Sequence, residues 1–201
     1  MGEWTEFVEG TKGMYGVDMS VLGGEYEKEQ NEYYLLSSKW SELPYEALLS
    51  EACVVKRFDM ATCTIEESKG ILPGNPAPFS FSVESEETME VSGFAGWFTS
   101  DFQSRTDEAG KDAPKVNNPV SLTTAPGPYT HWGQQVFYLR TPIVLMSGER
   151  TTIDGSIEMM RSKDNARLYN VKVKHGSKRF NKNSGVCMNE NKDVETVYQM
   201  P

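Results

Sequence analysis

A mainly β fold is what the sequence predicts: an antiparallel β-barrel or two-sheet sandwich with a helical hairpin inserted near the N-terminus. Three observations carry that expectation. From Ala52 onward, short segments alternate apolar and polar residues at the two-residue period of a strand. Clusters of glycine, proline and asparagine separate these segments, the punctuation of all-β domains. Ahead of them, residues 25–36 contain no proline, glycine or β-branched residue, which favours a helix.

In chain order, residues 1–13 read as a short, frayed lead-in carrying Gly10 and Gly13. Gly23-Gly24 reads as a plain turn, since no βαβ pattern surrounds it. In the helix that follows, Tyr26, Tyr33 and Tyr34 share one stripe with Gln30, a surface suited to docking more than to deep burial. A second short helix is expected from Pro44, with Tyr45, Leu48 and Leu49 at i, i+3 and i+4 spacing. The two helices, joined around Trp40, form the predicted hairpin. Candidate strands then span residues 53–58, 61–66, 79–83, 90–102, 119–124, 134–139, 150–160 and 167–174. Residues 72–78 and 105–118 read as loops, and Asn117-Asn118-Pro119 and Asp154-Gly155 as turns. Residues 177–193 are polar and expected to be mobile, with residues 194–200 returning as an edge strand. His175 reads as the end of a strand without ligand-like neighbours.

At 201 residues with 38% hydrophobic composition, the chain can form one domain with a real core. The formal charge of −9 argues against a nucleic-acid backbone as the main partner and favours encounter with cationic chains. No apolar run approaches the roughly 20 residues of a membrane span, so no membrane role is expected. The acidic N-terminus does not resemble a secretory signal or a transit peptide. Cys53, Cys63 and Cys187 are widely spaced and odd in number. They read as reduced thiols of a cytoplasmic and/or nuclear protein, without a disulfide frame or metal site. The carboxylates at residues 66, 67, 84, 86 and 87 read as solvated faces.

One stretch stands out chemically: Tyr129-Thr130-His131-Trp132-Gly133-Gln134-Gln135, directly after Pro126, Gly127 and Pro128. The prolines and glycine make a turn, and the alternation after it makes a strand. His131, one of two histidines, is thereby presented beside Trp132 at a loop-to-strand corner, where a scaffold can hold side chains toward a ligand. Taken plainly, Trp132 is a half-buried core aromatic and His131 a solvated loop residue.

The surroundings of that stretch resemble the protein arginine N-methyltransferases. Tyr15-Gly16-Val17-Asp18-Met19-Ser20 is similar to the family segment entering the barrel, and Gly93-Phe94-Ala95-Gly96-Trp97-Phe98 to its central strand. Leu122-Thr123-Thr124-Ala125-Pro126 resembles the approach to a Thr-His-Trp loop, and Ser162-Lys163-Asp164-Asn165-Ala166-Arg167 a late hairpin. The matches run in order over about residues 14–175. Gly133-Gln134-Gln135 and the wording around Trp40 are most similar to the plant-type branch.

The resemblance implies a division of labour. Residues 1–13 would lead in from a cofactor domain, residues 14–201 would form the substrate-binding barrel domain, and residues 21–51 would be the dimerisation arm. His131 would serve catalysis by pairing with an acidic group of the cofactor domain. Thr130 and Trp132 would contact the substrate, and Tyr26, Tyr33, Tyr34 and Trp40 would dock a second subunit. The complete enzyme would use S-adenosyl-L-methionine and act on arginine-rich proteins such as histones. The family's glycine-rich cofactor turn and its paired glutamates lie upstream of the position matching Tyr15. This chain alone is therefore expected to bind no cofactor and to be inactive. Three classes stay open at this point: a part of such an enzyme, a non-catalytic subunit dimerising with an intact one, and an unrelated ligand-binding barrel.

Overall fold

The structure is a computed structural model that describes residues 2–104, 115–127, 129–165 and 167–200, apart from the side chains of Glu3, Gln30, Asn31 and Tyr34. Most of the loop expected at 105–118, as well as Pro128 and Ala166, lie outside the described residues.

The N-terminal segment is not frayed: it forms helix α1 (Gly2–Tyr15). Each interior glycine costs a helix about 1 kcal/mol relative to alanine, but a tertiary contact opposes that cost. Trp4 lies flat on Tyr26, with ring centroids 4.4 Å apart and planes 15° from parallel. A single 3-10 turn (Ser20–Leu22) leads into α2 (Gly23–Leu36), so Gly23-Gly24 opens a helix rather than making a separate turn. The helical hairpin near the N-terminus is present, and α1 and α2 form it. The second helix expected at Pro44 shrinks to one 3-10 turn, Tyr45–Ala47, and Leu48 is already extended. Tyr45 is exposed and no residue of that turn is buried, so no apolar contact extends it.

Among the described residues, ten strands follow. They are β1 (Lys39–Ser41), β2 (Gly70–Ile71), β3 (Ala77–Glu84), β4 (Met89–Gly96) and β5 (Thr99–Phe102), then β6 (Val120–Thr123), β7 (Gln134–Leu145), β8 (Glu149–Arg161), β9 (Tyr169–Asn181) and β10 (Cys187–Met200). One sheet has the order β1-β7-β4, and a second runs β10-β9-β8-β2 with β3 also pairing β8. A two-stranded ribbon, β5-β6, stands beside them. Every strand pair is antiparallel.

The two main sheets share their core, as the predicted sandwich requires. Val91, Leu139 and Ile143 of the first pack with Val83 and Ile153 of the second. Phe137 packs with Phe79, Val171 and Tyr198. Phe81 and Phe94 touch both groups and join them into one interior. Each fully buried side chain of this size contributes about 1.5–3 kcal/mol. Tyr198 adds a polar cross-tie, its hydroxyl donating to the Tyr138 carbonyl at 2.7 Å.

Several local expectations fail for identifiable reasons. Residues 53–58 and 61–66 have strand-like patterning but no ladder among the described residues, and Val54, Phe58 and Met60 lie exposed. Thr64 instead caps a short helix, α3 (Ile65–Ser68), in a reciprocal capping box with Glu67. The strand expected at 90–102 breaks after Gly96, because β4 belongs to β7 whereas β5 belongs to β6. Asp154-Gly155 is not a turn; it lies mid-strand in β8, opposite Ser80 and Phe79. Gly155 serves packing: a Cβ there would sit 2.2 Å from the Lys174 carbonyl oxygen and 2.4 Å from the Phe79 ring.

The polar segment 177–193 is ordered as the end of β9 and the start of β10. Along β8, β9 and β10 lysines of the central strand meet acids of its two neighbours. Lys178 bridges Glu190 at 3.0 Å, Lys174 bridges Asp193 at 2.8 Å, and Lys172 bridges Glu158 at 3.1 Å. The edge strand expected at 194–200 is the last part of β10. His175 does not end a strand; it continues the inward alternation of β9 after Val171 and Val173.

Candidate functional site

The corner between β6 and β7 is built from its two ends. Thr124, fully buried, closes the β5–β6 ribbon: its N–H donates to the Phe98 carbonyl at 3.0 Å, and its hydroxyl oxygen accepts from the Phe98 N–H at 3.3 Å. Gln134, also buried, opens β7 and reaches both ways. Its amide nitrogen donates to the Thr124 carbonyl at 2.8 Å, and its amide oxygen accepts from the Leu43 N–H at 2.7 Å. One glutamine therefore fixes the span of the loop and binds it to the chain leaving β1.

Within that frame the Gly133 N–H donates to the Thr130 carbonyl at 3.3 Å, closing a turn that leaves the His131 and Trp132 side chains exposed. Gly133 adopts φ +54°, the left-handed region that glycine enters without strain. Space demands glycine as well: a Cβ would lie 2.6 Å from Trp40 Nε1 and 2.7 Å from the Ser41 carbonyl oxygen. Trp40, paired with Gln135 in the β1–β7 ladder, donates its indole N–H to the Trp132 carbonyl at 2.8 Å. Trp132 meets Phe98 edge-on, centroids 5.9 Å apart, and His131 stands edge-on to Trp132 at 6.1 Å.

Trp40, Tyr129, His131 and Trp132 line one recess of about 560 Å³. All four are exposed, Trp132 at 52% and Tyr129 at 76%. Aromatic faces on several sides of an accessible recess attract cations, each contact contributing about 0.5–1 kcal/mol at exposed sites and more when water is excluded. The Thr130 hydroxyl is shielded from solvent and has no hydrogen-bond partner among the described residues.

The docking residues divide. Tyr26 is half-buried beneath Trp4. Tyr33 is 57% exposed, with the Lys39 ammonium 2.6 Å from its ring centroid. The side chain of Tyr34 lies outside the described ones. Trp40 belongs to the recess with Trp132. The base of α2 is tied to both sheets through Ser38, whose N–H donates to the Gln199 carbonyl at 2.8 Å and whose hydroxyl donates to Gln135 Oε1 at 3.0 Å. A groove of about 720 Å³ runs along this junction between Glu29, Glu32, Tyr33 and Leu36 on one side and Val197 and Gln199 on the other.

The part played by Gln134, Phe98 and Trp40 at the corner is not apparent from the sequence. The signals were weak: a glutamine opening a strand, and a glycine directly after a tryptophan. His175 is buried and meets Phe94 edge-on at 5.5 Å, and burial pushes its pKa below the usual histidine value while Asp193 opposes the shift. All three cysteines are free. Among the described residues no three metal-ligating side chains cluster, and no helix is long and apolar enough to cross a membrane.

Comparison with known proteins decides the family. The family described as the arginine methyltransferase oligomerization subdomain matches residues 1–179. This chain belongs to the protein arginine methyltransferase family. Protein arginine N-methyltransferase PRMT10 of Oryza sativa subsp. japonica is 34% identical over 173 residues, covering 85% of this chain and 42% of that protein. The Arabidopsis thaliana PRMT10 is 31% identical over 175 residues, with 86% and 42% covered. The chain thus spans less than half the length of these relatives, and its likeness is to their plant-type branch. The crystal structure of Arabidopsis thaliana protein arginine methyltransferase 10, described as a uniquely open conformation, superposes with a TM-score of 0.65 at 28% identity. It covers 98% of this chain and 52% of that one. The Trypanosoma brucei PRMT1 enzyme–prozyme heterotetramer with AdoHcy shares the fold, with a TM-score of 0.56 at 16% identity and 98% and 51% covered. The chain carries the family's C-terminal β domain, the one described as its oligomerization subdomain.

Proposed function

We propose that this chain supplies the substrate wall and the dimerisation arm of a plant-type arginine methyltransferase acting on arginine-rich proteins such as histones. The observation that carries the reading is the recess of Trp40, Tyr129, His131 and Trp132, held open at a rigid corner of an acidic domain. Such a recess suits a planar cation, because aromatic rings attract positive charge and a corner held by hydrogen bonds orients it. Trp132 lines the guanidinium's path. His131, exposed at the rim, hydrogen-bonds an acidic group of a cofactor domain and so fixes the approach of substrate to it. S-adenosylmethionine is the family's methyl donor, but the described elements contain no doubly wound sheet with a glycine-rich turn. The residues here do not fit that cofactor.

The test is Trp132→Ala in a complete enzyme. Turnover on an arginine-rich peptide should fall more than tenfold, the loss of well over 1 kcal/mol of transition-state stabilisation, while the melting temperature stays within a few degrees. Retained turnover with a collapsed melting temperature would make Trp132 a core residue instead.

The family's oligomerisation role supports a second reading, a non-catalytic subunit that dimerises with an intact methyltransferase. The two separate by activity: a fusion to a cofactor domain gains turnover in the first case only. Three free cysteines support placement in the cytoplasm and/or nucleus, which cell fractionation with compartment markers tests.

A further inference from the structure

We propose that Trp40 is a positioning residue that latches the Thr130–Trp132 corner to the base of the helical arm. Its relevance to substrate rests on the reading above, but the latch itself is a statement about this chain's geometry. Two contacts converge on the indole and a third holds its backbone. Its N–H donates to the Trp132 carbonyl at 2.8 Å, across 92 residues of sequence. Its ring lies so close to Gly133 that a Cβ there would be 2.6 Å from Nε1 and 2.8 Å from Cε2. Its backbone pairs with Gln135, and its neighbours Lys39 and Ser41 pair with Val136 and Gln134. Trp132 keeps its carbonyl satisfied inside the loop and its side chain outside it. Without the indole, that carbonyl has no other hydrogen-bond donor in the described structure.

The other end of the latch is the arm. Leu36 ends α2 only four residues before Trp40. The intervening residues are anchored: Ser37 donates to the Tyr33 carbonyl at 2.8 Å, and Ser38 binds Gln199 and Gln135. The ammonium of Lys39 lies on the Tyr33 ring and donates to the Ser37 hydroxyl at 3.3 Å. A tilt of α2 is therefore transmitted through a short, hydrogen-bonded strand to the indole and from it to Trp132. Occupancy of the arm and geometry of the recess are coupled by one side chain.

The experiment is nuclear magnetic resonance on the full chain with labelled amides and indoles. Trp40→Phe keeps an aromatic ring and removes the donor. The amides of residues 131–133 should shift, and exchange at the Gly133 amide should quicken about tenfold, the scale set by one hydrogen bond of ordinary net strength. Tyr198→Phe is the comparison, since it removes a buried hydrogen bond elsewhere and lowers stability without touching the corner. If Trp40→Phe leaves residues 131–133 as in the parent chain, or if Tyr198→Phe moves them equally, the latch is overturned. Both readouts are independent of methyl transfer, so failure of the enzymatic reading leaves this test intact, and the reverse holds too.

Discussion

Replacing Gly133 by alanine isolates the rigidity of the corner. The substitution carries two costs. Holding a Cβ-bearing residue at φ +54° costs roughly 1 kcal/mol. The added Cβ must also displace an indole atom at 2.6 Å and a backbone carbonyl at 2.7 Å. Overpacking of that kind costs about 1–3 kcal/mol, so the expected total is about 3 kcal/mol. For a domain of this size each kcal/mol lowers the melting temperature by about 2–4 °C, which predicts a fall of roughly 6–12 °C. Gly148 supplies the control: it has φ +73° with nothing within 4 Å of its Cβ position. Gly148→Ala therefore carries the backbone cost alone, about 1 kcal/mol, or roughly 2–4 °C. Urea titration monitored by circular dichroism gives both free energies from midpoints at constant slope. In a Trp40→Ala background the part of the Gly133→Ala cost due to the indole disappears, giving a coupling of about 1 kcal/mol. Equal penalties at Gly133 and Gly148, with no coupling to Trp40, would refute a corner held shut by that side chain.

Four further outcomes are expected. Tyr198→Phe should lower stability by about 1 kcal/mol, since it deletes one hydrogen bond between the sheets but keeps the ring; an unchanged urea midpoint would count against that tie. Burial lowers the folded-state pKa of His175 below 6.5, so the neutral ring is favoured in the fold. Its contribution is complete above pH 6.5 and is lost as the pH falls toward the lowered value, because the unfolded chain takes up the proton first. Melting curves between pH 7.5 and 5.5 should show this slope, and His175→Gln should flatten it. Tyr33→Ala should weaken association with an intact methyltransferase subunit in ultracentrifugation while leaving β-sheet circular dichroism unchanged; loss of that signal would place Tyr33 in the core. Titration calorimetry of this chain with S-adenosylmethionine should show no saturable heat at micromolar concentrations, and clear saturation would contradict the division of labour proposed above.

The strands at 79–83, 134–139, 150–160 and 167–174 were legible because they bury alternate side chains of their own, as Val171 and Val173 do in β9. The helix at 25–36 followed from local propensity, and the Thr-His-Trp corner from its turn residues and family likeness. Partners distant in sequence were not legible. Residues 53–58 pattern as a strand yet find no ladder, whereas the polar residues 177–193 do, because pairing is decided by what lies across the sheet. The glycine-interrupted segment at 2–15 is a helix whose Trp4 packs on Tyr26, a partner no local pattern names. Asp154-Gly155 has the composition of a turn, and composition does not show that the Phe79 ring needs the space of Gly155. The site divides in the same way. The sequence by itself determined that His131 and Trp132 are presented together at a corner, a property of neighbouring residues and one turn. Only the tertiary structure decided that Trp40 and Gln134 close that corner, since their contacts run to Trp132, Thr124 and Leu43 across strands whose register no local pattern encodes.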